Sequence, residues 1–316
     1  AQQNRWAEDC SAHSLSPSSS ITPSQLRTAL RFHRSRFRRL RFGWLLGSLG
    51  RVNRLVQRFG RLREEGRKGL IVYIGAGDPN LDTTRRLALA FDAAGVDAIE
   101  LGVPFSDPLA DGLVNQLAAQ RGLESGTTPG GVLATVKALR QGSHVPVVLY
   151  IYYNLIHRYG QERFIRDAAE AGVDGLLVLD LPPEEAGGYG HQMRAAGLCA
   201  IYLIAPTTPE ERVAGIAKEA SGFIYYVSRE GVTGMQATVA ETIGDMTARI
   251  RRHTTLPIAV GFGISNPEQA KAVARHADAV VVGSAVVDRI ARGAGRSDLV
   301  ESVALFVRTL AEGIRG

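Results

Sequence analysis

The sequence predicts an α/β protein that folds as a (β/α)8 TIM barrel. Eight short runs rich in valine, isoleucine, leucine or tyrosine each end near Gly, Pro, Asp or Ser, which is typical of strands. Amphipathic stretches separate these runs, so strands and helices alternate along the chain. A barrel of this kind commonly takes about 250 residues, and the chain has 316. A doubly wound open sheet is the alternative arrangement of the same elements.

The predicted elements follow in order from residue 52. A leading helix over 52–67 is indicated by Leu55, Val56, Phe59 and Leu62 at helical spacing, with Gly66 at its end. The predicted strands are 70–75, 98–103, 145–152, 175–181, 199–205, 223–228, 257–263 and 279–285. The further predicted helices are 81–94, 113–125, 129–140, 161–171, 184–196, 209–219, 239–252, 267–276 and 297–314. No low-complexity linker follows residue 51, which predicts one catalytic domain over 52–316.

The first 51 residues differ from the rest of the chain in charge. They contain nine arginines and two acidic residues, a net charge of +7, whereas the whole chain carries +6 and the remainder therefore −1. The basic character belongs to this extension and gives no reason to infer a nucleic-acid surface on the folded domain. We predict that residues 1–51 are disordered or are not part of the native protein.

Cysteine content and hydropathy indicate the cellular compartment of the protein. Cys10 and Cys199 have no metal-like spacing, so neither a disulfide framework nor a metal site is expected. No apolar run approaches the roughly 20 residues that span a bilayer. We expect a cytoplasmic protein, or a plastid protein if the Ser- and Arg-rich extension is a transit peptide.

Two carboxylates, Glu100 and Asp111, stand out as candidate catalytic groups. Glu100 falls inside the strand-like run 98–103, where a buried carboxylate is costly unless a site uses it. Asp111 follows on the next loop, and two carboxylates in one pocket can divide acid and base roles according to their environments. The alternative is that they only form stabilising ion pairs.

The segment from Glu100 to Gly112 resembles the signature of the tryptophan synthase alpha chain family. Other motifs stand before and after it in the family's order: Gly75–Pro79, Asp180–Pro182, Ala205–Pro209, Tyr225–Gly234, Gly261–Ser265 and Gly283–Ala285. The resemblance extends from about Val52 to the end of the chain. Several motifs in the right order are more specific than any single one.

This resemblance implies a carbon–carbon lyase of tryptophan biosynthesis. The implied reaction is the retro-aldol cleavage of indole-3-glycerol phosphate to indole and glyceraldehyde 3-phosphate, with Glu100 as acid and base and Asp111 stabilising charge at the indole nitrogen. The resemblance implies no cofactor on this chain. The implied partner is a beta chain that carries pyridoxal phosphate, in an α2β2 heterotetramer.

The remaining site residues bind the substrate or close over it. The predicted substrate-binding residues are Tyr73, Tyr152, Asp180, Tyr225, Thr233, Gly234, Phe262, Gly263, Gly283 and Ser284. The glycines and Ser284 fall after strands six, seven and eight, and loops seven and eight commonly bind phosphate in TIM barrels. The predicted lid over Ser228–Gln236 includes Ser228, Arg229, Gly231 and Thr233. Two of these residues have an alternative role. Tyr225 could be an aromatic side chain that fills the barrel, and Asp180 could order the structure around it.

Three positions depart from the family pattern. Tyr73 replaces the usual phenylalanine, Gly75 the usual threonine, and Leu113 the usual proline. In the family that threonine belongs to the network around the catalytic aspartate when the lid closes. The loss of its hydroxyl at Gly75 therefore bears on the locking of the lid.

Several alternatives are retained. The chain could be a free-standing lyase that releases indole, a non-catalytic regulatory partner of the beta chain, or a different phosphate-binding barrel. The extension could be a basic arm for RNA or membranes, a transit peptide, or upstream sequence translated ahead of a natural start near Val52, where family members begin. We favour the last of these.

Overall fold

Eight parallel strands close into a barrel in chain order, β1 to β8. The computed structural model describes residues 53–228, 236–261 and 263–315. Each strand pairs with the next, and β8 pairs with β1, which confirms the (β/α)8 prediction and excludes the open sheet. The strands are β1 (Gly69–Gly75), β2 (Ala98–Gly102), β3 (Val147–Ile151), β4 (Gly175–Val178), β5 (Cys199–Ile204), β6 (Ile224–Val227), β7 (Ile258–Gly261) and β8 (Ala279–Val282).

Helices surround the barrel. In the part of the chain that the structure describes they are α1 (Arg54–Glu64), α2 (Leu81–Ala93), α3 (Leu113–Glu124), α4 (Pro129–Leu139), α5 (Tyr153–Tyr159), α6 (Gln161–Ala171), α7 (Tyr189–Ala195), α8 (Glu210–Glu219), α9 (Gln236–Arg251), α10 (Pro267–Ala274), α11 (Ser284–Gly293) and α12 (Leu299–Arg315). A 3-10 turn covers Pro183–Glu185.

Three sequence predictions about helices were wrong. The predicted helix 184–196 is split into the 3-10 turn and α7, because Gly187 adopts a φ of 51° that continues neither segment. The short α5 lies between the predicted strand 145–152 and the predicted helix 161–171, where the sequence analysis predicted no helix. The predicted strand 279–285 ends at Val282, and its last two residues already belong to α11, which the sequence analysis missed.

Side chains inside the barrel come from alternate residues of each strand, as the period of two requires. The part of the interior nearer the amino-terminal ends of the strands is apolar. It is filled by Ile71, Ala98, Val148, Leu177, Ile201, Phe223, Ala259, Ala279 and Val281. Helix α1 closes this end with Leu55, Phe59 and Leu62, which pack on the same cluster. The interior at the other end of the strands is polar, and it holds the site.

Polar contacts attach α1 to the barrel. The Asn53 side chain caps the helix by accepting from Leu55 N at 2.9 Å, and it also donates to the backbone oxygen of Asp174 at 2.7 Å. Arg54 and Arg58 form ion pairs of 3.0 and 3.1 Å with the buried carboxylates of Asp174 and Asp97. The predicted leading helix is thus an integral part of the fold.

Some predictions lie outside the described residues. These are the assignments to residues 1–51 and to Arg229, Gly231, Thr233, Gly234 and Phe262. The domain boundary at residue 51 stays a prediction.

Candidate active site

A cavity of about 790 Å³ opens at the carboxyl ends of the strands, the face where TIM barrels place their active sites. It brings together nine of the predicted site residues, Tyr73, Glu100, Asp111, Asp180, Tyr225, Ser228, Gly263, Gly283 and Ser284. Tyr152 lines a smaller pocket next to the cavity and donates a hydrogen bond to Asp111, which lines both. Residues far apart in sequence therefore share one pocket.

Glu100 is the buried carboxyl group of this cavity. It sits in the middle of β2 and is fully buried, and neither carboxylate oxygen has a hydrogen-bond partner among the described residues. Burial alone raises its pKa to about 8, because the charged form loses its hydration without a compensating charge. A carboxyl group with a pKa near neutrality is suited to both giving and taking a proton.

Asp111 stands in a different environment from Glu100. Its Oδ1 accepts a 2.8 Å hydrogen bond from the Tyr150 hydroxyl, and its Oδ2 accepts one of the same length from Tyr152. Burial raises its pKa, and hydrogen bonding from Tyr150, Tyr152 and Asn115 opposes that rise. The two carboxyls thus differ in how far their charged forms are stabilised, which is the arrangement that separates acid from electrostatic roles.

Tyrosines surround both carboxyl groups. Tyr73 is paired with Glu100 across β1 and β2, and its ring stands edge-on to Tyr150 with centroids 5.0 Å apart. Burial raises the pKa of Tyr73 well above its usual value, and the charges of Asp111 and Glu100 add to the effect. The phenols therefore stay protonated and keep their hydrogen-bond donors.

Two glycines make room for the aromatic rings. A Cβ at Gly102 would overlap the Tyr73 ring and hydroxyl, and a Cβ at Gly261 would overlap those of Tyr225. Tyr225 thus leans over β7 just as Tyr73 leans over β2. Burial raises the pKa of Tyr225 well above its usual value, and the charge of Glu100 is the next contribution.

The cavity wall after β7 and β8 offers backbone N–H groups. Gly263, Gly283 and Ser284 lie there, and α11 begins at Ser284 with no side chain of the described residues capping it. By contrast, Asn266 caps the neighbouring α10 by accepting from Gln269 N at 2.9 Å. The uncapped first turn of α11 is therefore the better place for an anion.

Asp180 has a local structural role. Its Oδ1 accepts from the backbone N–H of Tyr153 at 2.7 Å, at the first residue of α5. A carboxylate at a helix N-terminus stabilises that end of the helix. This contact supports the interpretation of Asp180 as an ordering residue that also lines the cavity.

The first loop is held by an ion pair. Asp78 is 2% exposed and accepts two hydrogen bonds of 2.8 Å from Arg121 on α3. Nearby Gly75 faces α3, because a Cβ there would lie 3.2 Å from the Ala118 Cβ. Leu113, the other departure from the family pattern, is the first residue of α3, a position where proline is readily accommodated.

Exposed leucines lie next to Asp111 in sequence. Leu109 is 92% exposed, Leu113 69% and Leu117 44%. Neighbouring exposed large apolar side chains of this kind are typical of an interaction surface.

The described residues lack the features of two further classes of site. They contain no group of three or more His, Cys, Asp or Glu side chains placed to hold a metal ion. None of their helices has both the length and the apolar character needed to cross a membrane.

Comparison with known proteins identifies the family. The family model for the tryptophan synthase alpha chain matches residues 59–315. The chain belongs to the tryptophan synthase alpha chain family. It is an enzyme of tryptophan biosynthesis, the substrate that this family cleaves is indole-3-glycerol phosphate, and the family implies a beta chain as partner.

Relatives and solved structures agree with this assignment. A tryptophan synthase alpha chain of Opitutus terrae is 54% identical over 79% of this chain and 94% of its own length. One of Citrifermentans bemidjiense is 49% identical over 83% and 98% of the two chains. The solved alpha subunit from Legionella pneumophila superposes with a TM-score of 0.77 at 36% identity, covering 83% of this chain and 98% of that one.

Two residues of the site were missed by the sequence analysis. Tyr150 and Asn115 both line the cavity beside Asp111. Tyr150 shares its strand face with Val148 and Tyr152, so the period of two in β3 was a signal that could have revealed it. No signal in the sequence distinguished Asn115 from any other polar residue of α3.

Proposed function

We propose that the chain cleaves indole-3-glycerol phosphate with Glu100 as the proton-transfer group and Asp111 as the electrostatic partner. The observation that carries this proposal is the contrast between the two carboxyls: Glu100 is buried without a hydrogen-bond partner among the described residues, whereas Asp111 accepts hydrogen bonds from two tyrosines. The proposed class is a carbon–carbon lyase that needs no cofactor on this chain.

Glu100 acts first as an acid. With a pKa raised to about 8, its carboxyl is mostly protonated at neutral pH and transfers that proton to C3 of the indole ring. The resulting carboxylate then takes the proton of the side-chain hydroxyl on the carbon attached to C3. The carbon–carbon bond breaks, its electron pair restores the indole ring, and the hydroxyl carbon becomes the aldehyde of glyceraldehyde 3-phosphate.

Asp111 stabilises the intermediate state. Protonation at C3 places positive charge on the ring nitrogen, and a carboxylate that accepts that N–H hydrogen bond lowers the energy of the charged species. The hydroxyls of Tyr150 and Tyr152 each donate to this carboxylate and fix its position. Apolar side chains of the cavity, including Leu179, Leu203 and Val281, are suited to contact the indole ring.

The phosphate group binds at the uncapped start of α11. Ser284 supplies a hydroxyl, and Gly263 and Gly283 let the backbone approach the ligand closely. A substrate bound in this way spans the cavity from its phosphate end to the two carboxyls. The lid residues of the sequence prediction stay a prediction.

The partner is proposed to be a beta chain that carries pyridoxal phosphate, in an α2β2 heterotetramer. The exposed Leu109, Leu113 and Leu117 support contact on the loop that carries Asp111 and on the helix α3 that follows it. Burying such side chains favours association and couples the partner to the position of the catalytic loop. A cytoplasmic location stays a prediction.

An indole-release assay tests the proposal. The purified chain is given indole-3-glycerol phosphate with and without a beta chain, and indole and glyceraldehyde 3-phosphate are measured. We expect slow release alone and faster release with the partner. Fast turnover that ignores the partner favours the free-standing lyase, and an absence of turnover in both conditions favours the regulatory partner and contradicts the proposal.

A matched pair of variants tests the proposed contact. Leu113→Asp places a charge between the exposed Leu109 and Leu117 and should reduce activation by the beta chain. Leu305→Asp makes the same change at a side chain that is 61% exposed on α12 and should leave activation intact. Equal behaviour of the two variants would place the contact elsewhere.

A further inference from the structure

Asn115 is fixed beside the catalytic loop by the first turn of α3. It lies four residues after Asp111, and its backbone N–H donates to the oxygen of Gly112 at 3.0 Å. The side chain of the next residue, Gln116, donates to the backbone oxygen of Asp111 at 2.9 Å. The helix start and the loop therefore form one unit, and Asn115 lines the same cavity as Glu100 and Asp111.

The two ends of the Asn115 amide have different surroundings. Its nitrogen interacts with the Asp111 carboxylate, and this orientation is dictated by chemistry because the amide oxygen would be repelled by a carboxylate. Its Oδ1 is buried and has no hydrogen-bond partner among the described residues. A buried acceptor without a donor is costly and indicates that a donor belongs there when the site is filled.

We propose that Asn115 is a further substrate-contacting residue, whose side-chain oxygen accepts a hydrogen bond from the ring N–H that Asp111 also binds. This inference rests on the proposed function. The substrate carries donors at two places, the ring nitrogen and the side-chain hydroxyls. Glu100 must reach C3 and the hydroxyl next to it, so the hydroxyls lie near Glu100, whereas the Asn115 amide lies beside Asp111 at the ring-nitrogen end.

The contact matters most when charge develops. As C3 is protonated, the ring nitrogen becomes positive, and a carbonyl dipole directed at it stabilises that state more than the neutral ring. Loss of the oxygen should therefore lower kcat more than it raises KM. A side chain that only packed in the helix would show no such preference.

The test uses Asn115→Leu, which keeps the approximate size and removes both polar atoms. Dissociation constants are measured for two non-cleavable ligands: indole bearing a propyl phosphate chain at C3, and its benzothiophene counterpart, in which sulfur replaces the N–H. We expect the variant to bind the indole ligand about 5- to 10-fold more weakly, as for one lost hydrogen bond. The benzothiophene ligand should bind equally well to the variant and the wild type.

Controls separate this role from folding. Gln120→Leu makes the same amide-to-leucine change at an exposed residue of α3 whose side chain donates to Glu124 at 2.8 Å, and it should change neither dissociation constant. If Asn115→Leu does not fold, Asn115→Ser is measured instead. The serine side chain is too short to bring an oxygen to the position of Asn115 Oδ1, so this variant should show the same contrast between the two ligands.

The outcomes divide cleanly. Equal loss of affinity for both ligands, or no loss for either, overturns the role of Asn115. Failure of the wild type to release indole from indole-3-glycerol phosphate is a failure of the proposed function, which a separate assay detects. Wild-type cleavage combined with identical binding by the variant refutes this inference alone.

Discussion

The Tyr150 hydroxyl donates a 2.8 Å hydrogen bond to Oδ1 of Asp111. Tyr150 pairs with Gly102 in β2, so the strand that carries Glu100 is the neighbour of the strand that orients Asp111. The barrel itself thereby couples the positions of the two carboxyls.

Tyr150→Phe should move the acid limb of the kcat/KM profile to higher pH. Burial raises the pKa of Asp111, and the Tyr150 hydroxyl is the first of the hydrogen-bond donors that lower it, so removing the donor raises that pKa further. Asp111 is then protonated over a wider range at low pH and cannot stabilise positive charge there. At neutral pH the rate should fall about 10-fold, as for the loss of one hydrogen bond to a charged group.

Tyr159→Phe is the matched control for this measurement. Its hydroxyl also donates to a carboxylate, that of Asp167 at 3.0 Å, but on α5 and α6 outside the cavity. The control should leave the profile unchanged. An acid limb that stays in place in Tyr150→Phe would show that another group determines it.

Glu100→Gln should stabilise the fold increasingly as pH rises. The pKa of Glu100 is raised to about 8 from 4.5, so below about pH 4.5 the carboxyl is protonated in both folded and unfolded states and costs nothing. Above that pH the unfolded state ionises first and the folded protein loses stability, by roughly 1.4 kcal/mol per pH unit until ionisation near pH 8. The glutamine side chain of the variant does not ionise, so the variant does not lose stability in this way.

Urea unfolding of wild type and Glu100→Gln between about pH 5 and pH 7 measures the effect. The difference in unfolding free energy should grow across that window, whereas Glu312→Gln, an exposed carboxyl on α12, should give a flat difference. A flat difference for Glu100→Gln would mean that its carboxyl is not perturbed by burial.

The fold was predictable wherever local pattern decides it. The eight strands and the leading helix follow from runs of apolar residues and the spacing of Leu55, Phe59 and Leu62. Helix α5 was missed because it is short and begins at Tyr153, whose N–H is accepted by Asp180, a residue on another loop. Helix α11 was missed because its Val286 and Val287 continue the β-branched run of β8.

The site was predictable where a motif carries it. The resemblance supplied Glu100, Asp111, Gly283 and Ser284, and the structure places them on one cavity. Asn115 could not be found, because its interest lies in an unpaired buried oxygen, a property of packing that no sequence pattern encodes.

Gly75→Thr should lower the melting temperature. The family's threonine carries a hydroxyl that bears on the locking of the lid, but a Cβ at this position lies 3.2 Å from the Ala118 Cβ, so α3 must give way by a few tenths of an ångström. Overpacking of this kind costs about 1–3 kcal/mol. Calorimetry should show a larger loss for Gly75→Thr than for Gly75→Ala, and an unchanged melting temperature in both would mean that α3 yields freely.

Removal of residues 1–51 should leave the melting temperature unchanged within about 1 °C. The cap of α1 is supplied by Asn53, which accepts from Leu55 N and donates to the oxygens of Asp174 and Gly197, and the truncation retains it. Asn53→Ala should cost about 1 kcal/mol or more, a shift of several degrees. A truncated chain that melts as early as Asn53→Ala would show that the extension contributes to the barrel.

The most direct test of the account is indole release by Glu100→Gln with the beta chain present. We expect turnover to fall by at least about 10²- to 10⁴-fold, the usual contribution of general acid–base catalysis, while the non-cleavable indole propyl phosphate ligand binds as it does to the wild type. Near-normal turnover in the folded variant would remove Glu100 from the mechanism and contradict the account.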